Sequence, residues 1–276
     1  MNPNFQKRIR HWNGNKSSIR QRYEEALLRA LIKRIDPAED SQIETDNTAR
    51  RTITGEANIF KAGYDVLVTT AGNPKFKHVP KLVIPEPIDF GVLGARIAVY
   101  REDQANRFLD PSETNYRSAK IVQPADWADT PIFEANAFPL LKVENLEACF
   151  TAVHNGEADY LTLGAVEVTS LIDEFKALAP ALAIDPQGVI YYPLPLQIYC
   201  HPDRGDLAEA LRLGLQTFIQ DGNLRRLFDV FYSDPIRALN LPDRRVTLLT
   251  NPNLNDVPDL QRYISPFLNP QSTEGP

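Results

Sequence analysis

Residues 145–176 read NLEACFTAVHNGEADYLTLGAVEVTSLIDEFK. Asn145 is a favoured N-cap residue, and Cys149, Phe150 and Val153 share one helical face. Asn155-Gly156 closes that helix, because Gly just past a periodic run takes the left-handed conformation cheaply. Ala158–Leu163 (ADYLTL) then reads as a strand, and Val166–Lys176 returns to helical spacing. One window therefore holds helix, strand and helix. Such alternation predicts an α/β fold, with mostly parallel sheets carrying helices on both faces.

The alternation extends in both directions. Lys7–Trp12 is a short strand candidate. Ser18-Ile19-Arg20-Gln21 reads as a capping box, opening a helix that buries Ile19, Tyr23, Leu27 and Leu31. Asp36–Asn47 is polar and reads as a loop or weak strand, and Ala49–Lys61 as a helix ended by Gly63. Tyr64–Thr70 (YDVLVTT) and Ala95–Tyr100 (ARIAVY) are clear strands. The first is broken by Ala71-Gly72-Asn73-Pro74, and Lys81–Ile84 is extended. Ala119–Val122 is a further strand. Thr130-Pro131 reads as an N-cap with Pro at the first helical position, and Tyr191–Cys200 is extended. Ala210–Tyr232 holds two amphipathic helices split by Asp221-Gly222, with Asp206 and Glu209 as the capping box of the first. Pro235 reads as the start of another short helix, followed by a tail rich in Pro and Asn.

Composition narrows the function classes. The chain has 276 residues and a net charge of −6, with an isoelectric point near 5.3. No basic stripe is present to neutralise phosphates, which argues against a nucleic-acid partner. The one basic cluster, Lys7 to Arg10 with Lys16, Arg20 and Arg22, reads as a solvated start, and acids such as Glu24, Glu25 and Glu209 read as helix surface. Cys149 and Cys200 lack metal-ligand spacing and read as two buried free thiols, with a disulfide between them as the alternative. The four histidines are scattered. Phosphate-loop, dinucleotide, zinc-protease and nucleophile-elbow motifs are missing, so no cofactor or metal is expected. No apolar run is long enough to span a bilayer. The start, MNPNFQKRIRHW, has no apolar core of a secretion signal.

The order of segments resembles the type II periplasmic solute-binding proteins, in particular bacterial transporter substrate-binding domain-containing proteins related to amino-acid-binding family 3. The resemblance runs from about Arg22 to Tyr263. It is carried by YEEALLRAL (23–31), AGYDVLVTT (62–70), PEPIDFGVLGARIAVY (85–100), ADWADTPI (125–132), HNGEADYLTL (154–163), the helix–DG–helix stretch and RRVTLLTNPNLNDVP (244–258). It implies a two-lobed fold with two crossover strands, lobe 1 being residues 1–100 plus 201–276 and lobe 2 residues 101–200. It also implies a non-enzymatic, monomeric binder of an amino-acid-like solute or carboxylate. The permease of an ABC importer would be its partner, and the periplasm its compartment, with any signal removed.

In open α/β sheets, ligands bind outside the carboxyl ends of strands. The expected cleft segments are therefore His11–Asn13, Thr69–Asn73, Asp126–Thr130 and Thr162–Glu167. Within or beside them, ten residues are candidates for ligand contact. Trp12 and Trp127 could stack on a solute. Thr69, Thr70, Asn73 and Thr162 could offer polar groups. Arg96 could fork a carboxylate, and Asp129 or Glu167 could meet an amine. Thr130 would head a helix whose free N–H groups attract an anion. Each has a plainer structural reading: core packing, strand chemistry or a surface ion pair. Two positions depart from the family. Its carboxylate-clamping Arg is replaced by the AGNPKFK region, where Lys75 or Lys77 is a point charge, and its amine-binding Asp by Gly164. Two other readings stay open: a sensing or interaction module with an altered cleft, and a dehydratase-like enzyme using Asp126, Asp129 or Glu167.

Overall fold

A computed structural model describes residues 8–37, 41–50, 52–110, 112–254 and 266–268. In chain order the strands are β1 (Arg8–Trp12), β2 (Gln42–Asp46), β3 (Val66–Thr70), β4 (Leu82–Ile84), β5 (Ala95–Arg101), β6 (Ile121–Pro124), β7 (Leu140–Val143), β8 (Tyr160–Gly164), β9 (Leu182–Ile184), β10 (Gly188–Tyr191), β11 (Leu196–Cys200) and β12 (Arg245–Leu248). The helices are α1 (Ser18–Ile35), α2 (Ile53–Ala57), α3 (Glu113–Ser118), α4 (Thr130–Ala135), α5 (Leu146–His154), α6 (Val168–Phe175), α7 (Gly205–Gln220) and α8 (Asn223–Ala238). Two compact units share the chain: Met1–Asp89 with Leu196–Ser233, and Phe90–Pro195 with Asp234–Pro276.

The first unit is built on a five-stranded sheet, ordered β2-β1-β3-β11-β4. β3 is apolar or Thr throughout and wholly buried, as a strand covered on both faces must be. Trp12, Ile59, Phe60, Tyr64, Leu67, Phe76 and Tyr199 form one core cluster. α1 buries Tyr23, Leu27, Leu28 and Leu31, and packs closely on α7, where a Cβ on Gly214 would stand 2.7 Å from Ile35 Cγ2. Gly222 takes φ +70° between α7 and α8, as its place after a helix end predicts.

The second unit has a seven-stranded sheet ordered β12-β10-β5-β8-β6-β7, with β9 paired to β5. Tyr100, Phe108, Tyr116 and Tyr160 fill one end of its core. There the buried Asp185 accepts the Tyr116 hydroxyl at 2.5 Å and the N–H groups of Gln187 and Gly188. Arg244 donates to the carbonyls of Asp185, Gly188 and Leu239, tying the returning chain to this sheet.

Several expectations change. Both sheets are mixed rather than mostly parallel: β11 runs against β3 and β4, and β5 against β8, β9 and β10. These are the strands by which the chain enters or leaves a unit, so they lack the helical crossover that makes neighbours parallel. The unit boundaries also differ from 1–100, 101–200 and 201–276. β5 and β12 hydrogen-bond into the second sheet, which draws residues 90–100 and 234–276 to it. α1 starts one residue after Ser17, and Gln21 donates to the Asn13 carbonyl instead of closing a capping box. α7 is capped at Arg204, while Glu209 pairs with Arg212. Pro235 lies inside the continuous α8. The helix read over 49–61 shrinks to α2 followed by turns. Lys7, Asp36–Asn47 at positions 38–40, and the resembling tail beyond Leu254 lie outside the described residues.

Candidate functional site

In the second unit, the carboxyl ends of β6, β8 and β10 and the start of β5 meet along one edge, because β5 pairs Arg96 with Gly164 and with Ile190. Arg96 is buried there. Its Nη2 lies 2.5 Å from Asp129 Oδ1, and its Nε donates to the Tyr192 hydroxyl at 3.1 Å. Tyr192 in turn donates to Asp129 Oδ1, closing a three-membered network. Burial works against the guanidinium charge, yet Asp129, Tyr192 and Glu167 outweigh it and hold the Arg96 pKa above its ordinary value. Burial, against the pull of Arg96, keeps Tyr192 a neutral phenol. A Cβ on Gly164 would meet Glu167 Oε2 at 2.7 Å and Arg96 Nη1 at 3.3 Å. The Glu167 carboxylate thus occupies the space that a side chain at 164 would enter.

The loops carrying these groups are braced by the end of the chain. Leu249 N–H donates to the Tyr191 carbonyl at 2.8 Å, and Asn251 Nδ2 to the Pro193 carbonyl at 2.7 Å, on either side of Tyr192. Asn253 Nδ2 reaches the carbonyl of Ala128, next to Asp129, at 3.3 Å. Thr130 does not cap α4. Asp129 is its N-cap residue and Thr130 Oγ1 donates to the Pro124 carbonyl at 2.7 Å. With a helix of six residues and a carboxylate at its head, the expected anion site at Thr130 is not formed. Trp127 is half-buried in the turn between β6 and α4. Thr162 accepts from Gln123 Nε2 at 2.8 Å.

The first unit presents β1 and β3 ends. Trp12 belongs to the core cluster, 1% exposed, with Nε1 donating to the Thr48 carbonyl at 3.1 Å. Its ring packs in that cluster. Thr69 and Thr70 end β3 opposite Gln197 and Leu196. Asn73 Nδ2 donates to Thr69 Oγ1 at 2.8 Å, while Thr70 Oγ1 is buried with no hydrogen-bond partner among the described residues. Lys75, considered as a substitute clamp, pairs with Glu56 at 2.9 Å; Lys77 is exposed. Lys16 and Arg20 are not a solvated start, nor is Glu24 helix surface. Glu24 is fully buried and accepts both cations, and Lys16 also donates to Asn13 Oδ1 at 3.1 Å. Burial pulls the Lys16 ammonium below its usual pKa, and Glu24 counters it.

The structure therefore gathers Arg96, Asp129 and Glu167 in the second unit with Thr162 and Thr130 nearby, and Thr69, Thr70 and Asn73 in the first. Sequence reading missed Tyr192, Gln123 and Glu24. Tyr192 lay in an extended run with no polar alternation to mark it, and the spacing of Glu24 four residues after Arg20 was the one available signal for that pair. Among the described residues, no group of His, Cys, Asp or Glu is arranged to hold a metal ion. Cys149 and Cys200 are buried free thiols, both pushed up to about 12 by burial.

No protein-family model matches the sequence, and no curated protein matches it. Solved structures do match. One is an ancestral arginine-binding protein bound to arginine, at 12% identity, covering 82% of this chain and 99% of that one, with a TM-score of 0.58. A periplasmic His/Glu/Gln/Arg/opine family-binding protein from Silicibacter pomeroyi, in complex with lysine, matches at 13% identity over 83% and 98%, with a TM-score of 0.58. The periplasmic VFT2 domain of Bordetella pertussis BvgS matches at 14% identity over 81% and 92%, with a TM-score of 0.58. The chain shares the α/β fold of these solved structures, with one sheet in each of its two units.

Proposed function

We propose that this chain is the binding component of a solute-transport system, taking a small polar solute at its strand-end loops. Its partner would be the permease of an ABC importer, its state monomeric and its compartment periplasmic, by analogy with the neighbours. The observation that carries the reading is the polar edge built around Arg96 on a fold shared with amino-acid-binding structures. Buried polar side chains at strand ends, one of them the unpartnered Thr70 hydroxyl, suit a ligand that supplies hydrogen bonds. Asp129 is committed to Arg96 and Tyr192, which disfavours its use as a catalytic acid.

Native mass spectrometry of gently purified protein tests this, followed by a thermal-shift screen of amino acids, amines, carboxylates and small peptides. A ligand present at a hundred times its Kd should add about 2.7 kcal/mol of stability. The shift should weaken in Trp127→Ala. One observation favours a second reading, a sensing or interaction module: the lysine nearest the family's clamp position is spent on Glu56. Silence across the panel, with no co-purified mass, would select that reading.

A further inference from the structure

Gln123 on β6 plays no part in the network above. Its side chain is buried, its amide nitrogen donates to Thr162 Oγ1 at 2.8 Å, and its buried amide oxygen has no partner among the described residues. A buried acceptor left unpaired is costly until a donor reaches it. Strand register fixes where it sits. β6 and β8 align Ile121 with Tyr160 and Val122 with Leu161, which places Gln123 beside Thr162. β5 adds Ala98 to that row, and Arg96 with Gly164 to the row beyond it. Residues two apart share a sheet face, so the unpaired oxygen and the Arg96 network lie on the same face, one row apart.

The charges in that next row are engaged with one another. Arg96 pairs with Asp129, and its Nη1 faces the Glu167 carboxylate across Gly164. A cation approaching Glu167 would meet the guanidinium, and an anion approaching Arg96 would meet two carboxylates. Pulling either partner from a buried pair strands the other charge. A neutral donor meets neither obstacle and satisfies the free acceptor.

We infer that the second unit holds a subsite for an uncharged hydrogen-bond donor, an amide or a hydroxyl, received on Gln123 Oε1. The inference rests on the solute-binding reading and narrows it: any charged group of the solute is held elsewhere.

Calorimetry and thermal shift on the full chain test it, with neutral succinamide and myo-inositol set against succinate, putrescine and glutamate. A shift with a neutral probe that weakens about tenfold in Gln123→Met is the expected result. Binding of the charged probes alone, or neutral binding that survives Gln123→Met, overturns the inference and leaves solute binding standing. No shift with any probe, and no co-purified small molecule, overturns both. Should Gln123→Met fail to fold, succinamide against succinate on the unaltered protein decides: preference for succinate overturns the inference.

Discussion

Trp12 ends β1 and Trp127 follows β6, and their surroundings set them apart. Trp12 is packed among seven core side chains counting itself, whereas Trp127 is half-buried in a turn. Trp12→Ala should cost about 3–5 kcal/mol through the cavity it leaves. Trp127→Ala should leave the unfolding midpoint nearly unchanged and alter solute binding. Urea titrations of the two variants check this, and equal losses would refute the assignment. His11 gives a second prediction at this scale. Its ring is buried, Nε2 has no partner among the described residues, and its pKa lies well below the ordinary imidazole value of 6.5, from burial first and then from Lys16 and Arg29. The unfolded chain therefore takes up the proton first as pH falls below 6.5. Stability from this group is fully present above that pH and is lost below it, by up to about 1.4 kcal/mol per unit. Denaturation at pH 7.5, 6.5 and 5.5 (chosen around about the His reference value) should show a steeper fall for the native sequence than for His11→Gln; parallel slopes would count against it.

The α1–α7–α8 region shows how two glycines of one stretch serve different ends. Gly214 lets α7 approach α1, and an added Cβ would sit 2.7 Å from Ile35. Gly214→Ala should cost about 1–3 kcal/mol by overpacking, recoverable in part by Ile35→Ala, which removes the Cγ2 it meets. At Gly222 there is room for a Cβ, with Arg226 Nη1 3.7 Å away, but φ is +70°. Gly222→Ala should cost about 1–2 kcal/mol from backbone strain, with no relief from Ile35→Ala. Thermal melts of the single and double variants separate the two causes. The DG break was legible because a left-handed turn demands a small residue. The close approach at Gly214 was not, because it depends on a helix some 180 positions earlier, in the way that about any long-range packing does.

At the scale of the whole molecule, the chain leaves and re-enters its units at residues 89–90, 195–196 and 233–234. β11 is the consequence: it arrives after β5–β10 of the second unit and inserts between β3 and β4. Residues 8–89 alone lack that interior strand and α7, so they should show no cooperative melt by circular dichroism. Residues 8–89 joined by a flexible linker to 196–233 restore the sheet and its core, and should melt cooperatively. A sharp transition in the first fragment, or none in the second, would show that the units do not fold as their sheets divide them.

The sequence by itself determined the α/β alternation, most strands and helices, the resemblance to solute-binding proteins and the turn after a strand in which Asp129 lies. Those features are local: periodicity, turn residues and the order of segments carry them. Tertiary structure alone decided that Trp12 is core, that Lys75 serves Glu56, that Glu24 is buried between two cations, and that Tyr192 and Glu167 close around Arg96. Each of these depends on which distant side chain fills a given space, and a charge or an aromatic ring reads the same in sequence whether its partner is water, a solute or another part of the chain.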